Sequence, residues 1–403
     1  MMDPIQPDDN FLVVDRNGEQ VRYEWRSENG SPLPRKLQLI DDTCTADHAL
    51  KLANSGTALL WNGDFQNARH LLQAIARRLD KRIKKRDDSK SGKPLTVSQR
   101  FDTFREDQKS RAQILGKLLI PIGSDHKIQL KRAPDIERAS EQVYGLNIPA
   151  FIVSLRELQG VISAFEWRKK GVNIDLSSHG IPVFNITPHY GVFSPIRGEY
   201  LKLVASAHLP NSLDSKTYVF DIGTGTGVLA LILAQRGAQR IIATDQSPRA
   251  IACALNNLQD QGLHSKIRVV QTHLFPVDVQ SQEPVKAALI VCNPPWLPGP
   301  SSGAVDSAVF DPASQMLKGF LDGLSKHLLA NGEGWLILSD IAEHLGLRSR
   351  AQLLQWIQEA GLEVLERMDV HPEHKKAQDP NDPFYAARSK EITSLWRLAV
   401  KVN

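Results

Sequence analysis

Phe220-Asp221-Ile222-Gly223-Thr224-Gly225-Thr226-Gly227 decides the fold of this 403-residue chain. An apolar run, Tyr218–Ile222, stops at a loop with three glycines in five residues, and an apolar helix pattern, Val228–Arg236, follows at once. Glycines let a backbone turn tightly and approach a ligand closely. The helix behind them presents its free N–H groups to that ligand. The next expected strand, Arg240–Asp245, ends in an acid 22 residues after Gly223. A carboxylate there can accept hydrogen bonds from both hydroxyls of a ribose. The dinucleotide spacing GxGxxG is not met, because the third glycine falls one residue early and position 228 is valine. Asp221, two residues before the first glycine, suits a pyrophosphate poorly. It suits a cofactor with a cationic amino-acid part.

Working outward, strands and helices alternate from about Asn211. The expected strands are Tyr218–Ile222, Arg240–Asp245, Lys266–Gln271, Ala287–Asn293 and Gly334–Asp340. Helices are expected at Val228–Arg236, Pro248–Gly262, Ser314–Leu329 and Arg350–Ala360. Val219-Phe220, Ile241-Ile242 and Leu289-Ile290-Val291 are apolar on both faces, as a buried parallel sheet requires. The pattern is a doubly wound α/β domain. Glu363–Val370 and Glu391–Val400 complete it as an antiparallel hairpin, with the polar insertion His371–Lys390 between them.

The fourth strand ends Leu289-Ile290-Val291-Cys292-Asn293-Pro294-Pro295-Trp296. Ligands of open α/β sheets bind off the carboxyl ends of strands, so this turn and the glycine loop face one crevice. Two prolines make the turn rigid. The Asn293 side-chain carbonyl and the fixed Pro294 carbonyl are two acceptors, which suit a planar NH2 group. Trp296 supplies a flat apolar face for a planar acceptor to stack on.

With these residues quoted, the stretch Val183–Val400 resembles the class I S-adenosylmethionine-dependent methyltransferases of the small-domain, Asn-Pro-Pro-aromatic branch. That branch includes protein-glutamine N5-methyltransferases acting on release factors, rRNA guanine-N2 methyltransferases and adenine-N6 methyltransferases of DNA and RNA. The resemblance implies a Rossmann-like seven-stranded sheet with an antiparallel last strand, and S-adenosylmethionine as cofactor. Asp221, Gly223, Thr224, Gly225 and Gly227 would line the methionine and ribose side. Asp245, with Gln246, would bind the ribose hydroxyls. Asn293, Pro294, Pro295 and Trp296 would hold the target nitrogen. Tyr190-Gly191-Val192-Phe193-Ser194-Pro195 looks like the segment that covers the cofactor, with Phe193 on the substrate side. The family has Asp-Leu-Phe after its third strand, where this chain has Thr272-His273-Leu274-Phe275. A neutral His273 can still accept a hydrogen bond near the adenine amine.

The first half matches no recognition domain by sequence. We assign 1–175 to a smaller mixed α+β substrate-recognition domain and 176–403 to the catalytic one. Phe11–Val14 reads as a strand, and Ala46–Leu79 as two helices broken at Asn54-Ser55-Gly56, with Asp64 capping the second. Asp87–Pro94 reads as a loop. Leu118–Ile122 and Lys127–Leu130 read as paired strands, and Phe151–Arg168 as a helix. Val172–Leu176 and Ile181–Ile186 read as a hairpin. The chain carries 49 basic and 45 acidic residues, a net charge of +4 that names no partner. Charge is concentrated instead: Arg77–Lys93 holds nine Lys/Arg against three Asp, and basic residues continue to Lys117. This stretch, Lys81, Lys84 and Lys85 above all, reads either as a surface for RNA or as a solvated helix face. Cys44, Cys253 and Cys292 have neither disulfide nor zinc spacing. No signal peptide or membrane span is expected, so the expectation is a cytoplasmic protein without a metal. Three functions stay open: an N-methyltransferase on an exocyclic base amine of RNA, rRNA in particular; a protein-glutamine N5-methyltransferase; and a non-enzymatic cofactor-binding RNA module.

Overall fold

The computed structural model describes residues 10–16, 18–89, 95–195, 198–278, 280–281, 283–301, 306–373 and 379–402. The chain forms two compact units, Met1–Glu166 and Trp167–Asn403. The boundary expected at 175/176 would cut a strand, Val172–Leu176, whose Ile174 and Leu176 are buried in the second core.

The first unit contains β1 (Phe11–Arg16), β2 (Glu19–Trp25), β3 (Leu37–Ile40), α1 (Ala46–Asn54), β4 (Ala58–Trp61), α2 (Phe65–Ser89), α3 (Val97–Leu115), β5 (Leu118–Ile122), α4 (Glu137–Tyr144) and β6 (Phe151–Ser154). Helix α5 (Leu155–Lys170) leads out of it. The sheet order is β1-β2-β6-β5-β4-β3. Strands β3, β4 and β5 run parallel, and β6 pairs antiparallel with β5. This is the mixed α+β architecture expected. Three local expectations are corrected. Phe151–Ser154 is a strand and not the start of a helix: its Phe151, Ile152 and Val153 are fully buried. Lys127–Leu130 is not a strand, because β5 is already paired on both edges by β4 and β6. Helix α2 continues through Ser89, where a loop was expected from Asp87, and residues 90–94 of that loop lie outside the described residues.

The second unit opens with the expected hairpin, β7 (Val172–Leu176) and β8 (Ile181–Ile186), then α6 (Glu199–Ser206). The alternating elements follow: β9 (Tyr218–Ile222), α7 (Val228–Gln235), β10 (Ile241–Asp245), α8 (Pro248–Asp260), β11 (Ile267–Gln271) and β12 (Ala287–Cys292). Next come β13 (Leu297–Pro298), β14 (Phe310–Asp311), α9 (Gln315–His327), β15 (Leu328–Ser339), α10 (Ile341–His344), α11 (Arg350–Glu359), β16 (Leu362–Val370), α12 (Tyr385–Arg388) and β17 (Thr393–Val400). The short α12 occupies part of the 371–390 insertion, of which 374–378 lie outside the described residues. The sheet order is β11-β10-β9-β12-β15-β17-β16, and β17 runs antiparallel to both its neighbours. This is the seven-stranded, Rossmann-like sheet with a reversed last strand.

Alternation along the strands divides the core into two layers. Val219, Leu289, Val291, Trp335 and Ile337 face α6, α7 and the β7–β8 hairpin. Phe220, Ile222, Ile290, Cys292, Leu336 and Leu338 face α9 and α11. Each such side chain contributes about 1.5–3 kcal/mol when fully buried. No helix among the described residues is long and apolar enough to cross a membrane.

One ion pair fastens the reversed strand. Arg397 on β17 grips Glu333 on β15 through two hydrogen bonds of 2.8 Å, and Trp335 Nε1 donates to the same carboxylate at 2.9 Å. The two side chains keep only 15% and 10% of their exposure. Removing one partner of a buried pair strands the other charge and costs about 3–5 kcal/mol. Arg397→Met is therefore expected to destabilise the second unit by about 3 kcal/mol in urea unfolding. A loss under about 1 kcal/mol would mean that solvent already screens the pair.

Candidate active site

Register builds the site. Ile222 lies opposite Thr244 on β10 and opposite Cys292 on β12. The three chains therefore leave the sheet at one level, and Gly223, Asp245 and Asn293 emerge side by side.

The glycine loop is left-handed at all three glycines, with φ of +71° at Gly223, +54° at Gly225 and +82° at Gly227. Any side chain there would be strained. A Cβ on Gly223 would sit 2.4 Å from Cε of Met316, so the end of that flexible side chain would have to shift. Val192, in the expected covering segment, lies 4.0 Å from the Cβ position of Gly225. Thr224 N–H donates to the Thr244 carbonyl at 2.8 Å, tying the loop to β10.

Asp221 is wholly buried. Its Oδ2 accepts from Thr224 Oγ1 at 2.6 Å and from Ala230 N at 3.1 Å, joining loop to helix. Its Oδ1 is buried with no hydrogen-bond partner among the described residues. Burial pushes this carboxyl up to about 7, against the pull of those two hydrogen bonds. Asp245 is half-buried, and its carboxylate accepts backbone N–H groups, from Gly225 at 3.1 Å, from Ser247 at 2.9 Å and from Gln246. Burial raises its pKa as well. Beside it, the exposed Gln246 and His273 meet at 3.2 Å.

On the acceptor side, Trp296 Nε1 donates to Asn293 Oδ1 at 2.9 Å. The indole packs against both core layers. The free stacking face expected of Trp296 is thus partly corrected: a half-buried indole N–H needs an acceptor, and Asn293 supplies it. Pro294 is buried and Pro295 half-buried. After the turn, β13 pairs with β14, and Asp311 accepts from Met316 N and Leu317 N, both at 3.0 Å. This start of α9 places Met316 over Gly223. Ala313 and Ser314, at φ of +53° and +56°, carry the strain of the bend.

Four contributors escaped the sequence. Asn257 is fully buried; it accepts from Thr187 N at 2.7 Å and donates to the Thr226 carbonyl at 2.9 Å, pinning the chain after β8 to the glycine loop. Tyr200, 2% exposed on α6, is hydrogen-bonded to the Asn293 side chain. Asp311 and Met316 belong to a loop with no repeating pattern. The Asn256-Asn257 pair alone gave a signal, since a buried amide in a helix needs partners.

Phe193 is exposed in the covering segment. Lys81, Lys84 and Lys85 are exposed on α2 of the first unit. Neighbouring charges there are partly spent: Arg78 pairs with Asp47, Arg86 with Asp107 and Arg111 with Asp80. Cys44, Cys253 and Cys292 are free thiols. Among the described residues no three His, Cys, Asp or Glu side chains converge as a metal set.

Residues 184–336 match the family model described as methyltransferase small domain. The chain is 32% identical to a tRNA1(Val) (adenine(37)-N6)-methyltransferase of Bacteroides fragilis, over 35% of this chain and 64% of that protein. It is 39% identical to a release factor glutamine methyltransferase of Cereibacter sphaeroides, over 20% of this chain and 27% of that protein. The chain thus spans less than two thirds of the length of either relative. A ribosomal protein L11 methylase from Lactobacillus delbrueckii subsp. bulgaricus is a structural neighbour at TM-score 0.31 and 17% identity, covering 48% of this chain and 73% of that one.

The Asp221 carboxyl gives a ligand-free test. Its folded pKa of about 7 lies above the unfolded value near 4, so the folded state holds the extra proton. Stability from this group is present at low pH and is lost as pH rises from about 4 to 7. Asp221→Asn, which cannot ionise, should gain on the wild type in urea midpoint as pH is raised from 5 to 8. A constant difference between the two proteins would place the carboxyl's pKa outside this window.

Proposed function

We propose that this chain, whose second unit is a class I methyltransferase domain of the small-domain type, is an S-adenosylmethionine-dependent N-methyltransferase acting on an exocyclic base amine of RNA, rRNA in particular. One observation carries the reading: the shared exit level of β9, β10 and β12 sets Asn293 beside the glycine loop and Asp245. The residues fit the cofactor. The unpartnered Oδ1 of Asp221 suits a nearby ammonium, which would hold the carboxylate ionised. Asp245 accepts backbone N–H groups from Gly225, Gln246 and Ser247, and its two oxygens together offer about four acceptor sites, which leaves capacity for a ribose diol. Gln246 and His273 stand on the adenine side of it. When bound, S-adenosylmethionine supplies an electrophilic methyl group.

The chain's own work is positioning. Trp296 fixes the direction of the Asn293 carbonyl by occupying one of its lone pairs, and the other is left for a substrate N–H. The Pro294 carbonyl takes the second N–H. Two acceptors hold a delocalised NH2 in line for displacement and draw its nitrogen toward pyramidal geometry. No strong base is required, because the proton leaves only after nitrogen has gained a bond. Phe193 and the ring of Trp296 border the acceptor.

RNA is favoured by α2. Arg77, Lys81, Lys84 and Lys85 are exposed, and their spacing puts them on one helical face. None of the three lysines forms an ion pair among the described residues. We assign the first unit to substrate recognition and the protein to the cytoplasm, a compartment that suits three free thiols. A second reading, methylation of a protein glutamine, draws support from the inward-turned Trp296, which offers less ring for a base and still accommodates a small amide. The intact Asn293–Trp296 turn speaks against a non-enzymatic module.

Tritiated methyl transfer into fractionated RNA and protein tests the reading directly. Label is expected in RNA; label in protein alone would select the glutamine reading. Asn293→Ala should lower kcat by about 10²–10³-fold with cofactor affinity unchanged. Retained turnover would remove Asn293 from the mechanism. Neutralising Lys81, Lys84 and Lys85 to Gln together should weaken RNA binding and flatten its salt dependence, by a slope of about 0.7 per lost phosphate contact. An unchanged slope would return α2 to ordinary solvation.

A further inference from the structure

Arg348 lies in the short connection between α10 and α11, beyond the carboxyl end of β15. It is 4% exposed, yet Nε and Nη2 are buried with no hydrogen-bond partner among the described residues. An arginine does not shed its proton, so a buried cation is left with open donors. The nearby acids do not relieve it. Glu343 and Asp311 act on it only through space. Glu343 is engaged by Arg350 Nε at 2.7 Å. Asp311 spends its two oxygens on Met316 N and Leu317 N.

The open atoms form a particular edge. Nε and Nη2 are the pair that grips two oxygens of one anion side-on. Three other arginines of this chain use that edge in this way: Arg78 on Asp47, Arg111 on Asp80 and Arg397 on Glu333. Arg348 presents the same fork with nothing in it. Its place is beside the acceptor turn. Strand β15 is the neighbour of β12, α10 touches β13 directly after Trp296, and Asp311 ends β14, the partner of β13.

We infer that Arg348 is the protein half of a two-oxygen anion site beside the acceptor turn, and that its anion is a phosphate of the RNA strand carrying the target base. This rests on the RNA reading above. The unpaired lysine face of α2 favours phosphate over an acidic protein as the source. The fork would fix the strand one contact away from the base held at Asn293, so it is a binding and positioning group.

The test uses the full chain, with inorganic phosphate and a short single-stranded RNA of mixed sequence as probes. Phosphate should raise the wild-type Tm, as a ligand of the folded state does. Arg348→Met should lose most of that increment and should melt above the wild type in phosphate-free buffer, because an unpaired buried charge is gone. It should also weaken RNA binding about tenfold and lower the salt slope by about 0.7. Acetate at equal ionic strength should do less than phosphate in the wild type. An equal phosphate increment in both proteins, an acetate effect larger than that of phosphate, or an Arg348→Met variant that melts lower with its phosphate response intact would each overturn the inference. Should the Met variant not fold, Arg348→Lys decides, since an ammonium keeps the charge and loses the fork. Full phosphate response and RNA affinity in the Lys variant would overturn it. Methyl transfer separates this inference from the reading beneath it. Wild-type label in RNA with an unchanged KM for RNA in Arg348→Met would sink Arg348 alone. Wild-type label in protein only would sink the RNA reading, and the phosphate with it.

Discussion

The parallel register of β9 between β10 and β12 is the constraint on which the site depends. Parallel strands leave a sheet on the same side, and here Ile222, Thr244 and Cys292 are opposite one another at the edge. A slip of one residue would turn every side chain of a strand to the other layer. The two layers differ: one is built against α6 and α7, the other against α9 and α11. Core packing therefore holds the register, and the register brings an acid, a glycine loop and an asparagine together from three distant parts of the sequence.

Loops at the end of a buried sheet carry backbone groups that must find partners. This chain meets that need with buried polar side chains. Asp221 serves the first turn of α7, Asn257 the loop after β8 and the carbonyl of Thr226, and Asp311 the first N–H groups of α9. Each joins segments that neither strand pairing nor apolar burial would fix. Oδ1 of Asp221 and the Nε–Nη2 edge of Arg348 are among the buried polar atoms that have no hydrogen-bond partner among the described residues. Asp221 lies on β9 just before the glycine loop, and Arg348 in the connection between α10 and α11.

The acceptor turn shows the same economy. Asn293 uses one lone pair on Trp296, so its carbonyl direction is fixed within the turn itself. A preoriented acceptor loses little entropy on binding. The tryptophan gives up part of its open face to do this, and its ring is held by both core layers. Rigidity of the turn thus comes from packing as much as from Pro294 and Pro295.

In the second unit the sequence was explicit. Strands β9, β10 and β12 each hold a run that is apolar on both faces, each helix has a capped start or an apolar stripe, and the glycine loop stands between them. Local chemistry sufficed, because a central parallel strand must be apolar throughout and a glycine must supply a positive φ. The first unit was less legible. Ala58–Trp61 and Phe151–Ser154 are four-residue apolar runs, too short to show a period, and Phe151–Ser154 runs straight into a helix. Whether Lys127–Leu130 joins the sheet depended on β6, a strand about two dozen residues further on. The sequence alone determined the strand–loop–helix units, the glycine loop and the rigid Asn293–Trp296 turn. Only the tertiary structure decided which way Trp296 turns, that Asn257, Asp311 and Met316 brace the loops, and that Nε and Nη2 of Arg348 are buried with no partner among the described residues. Periodicity and spacing report on contacts along one element, whereas these properties are set by which side chains meet across elements far apart in the chain.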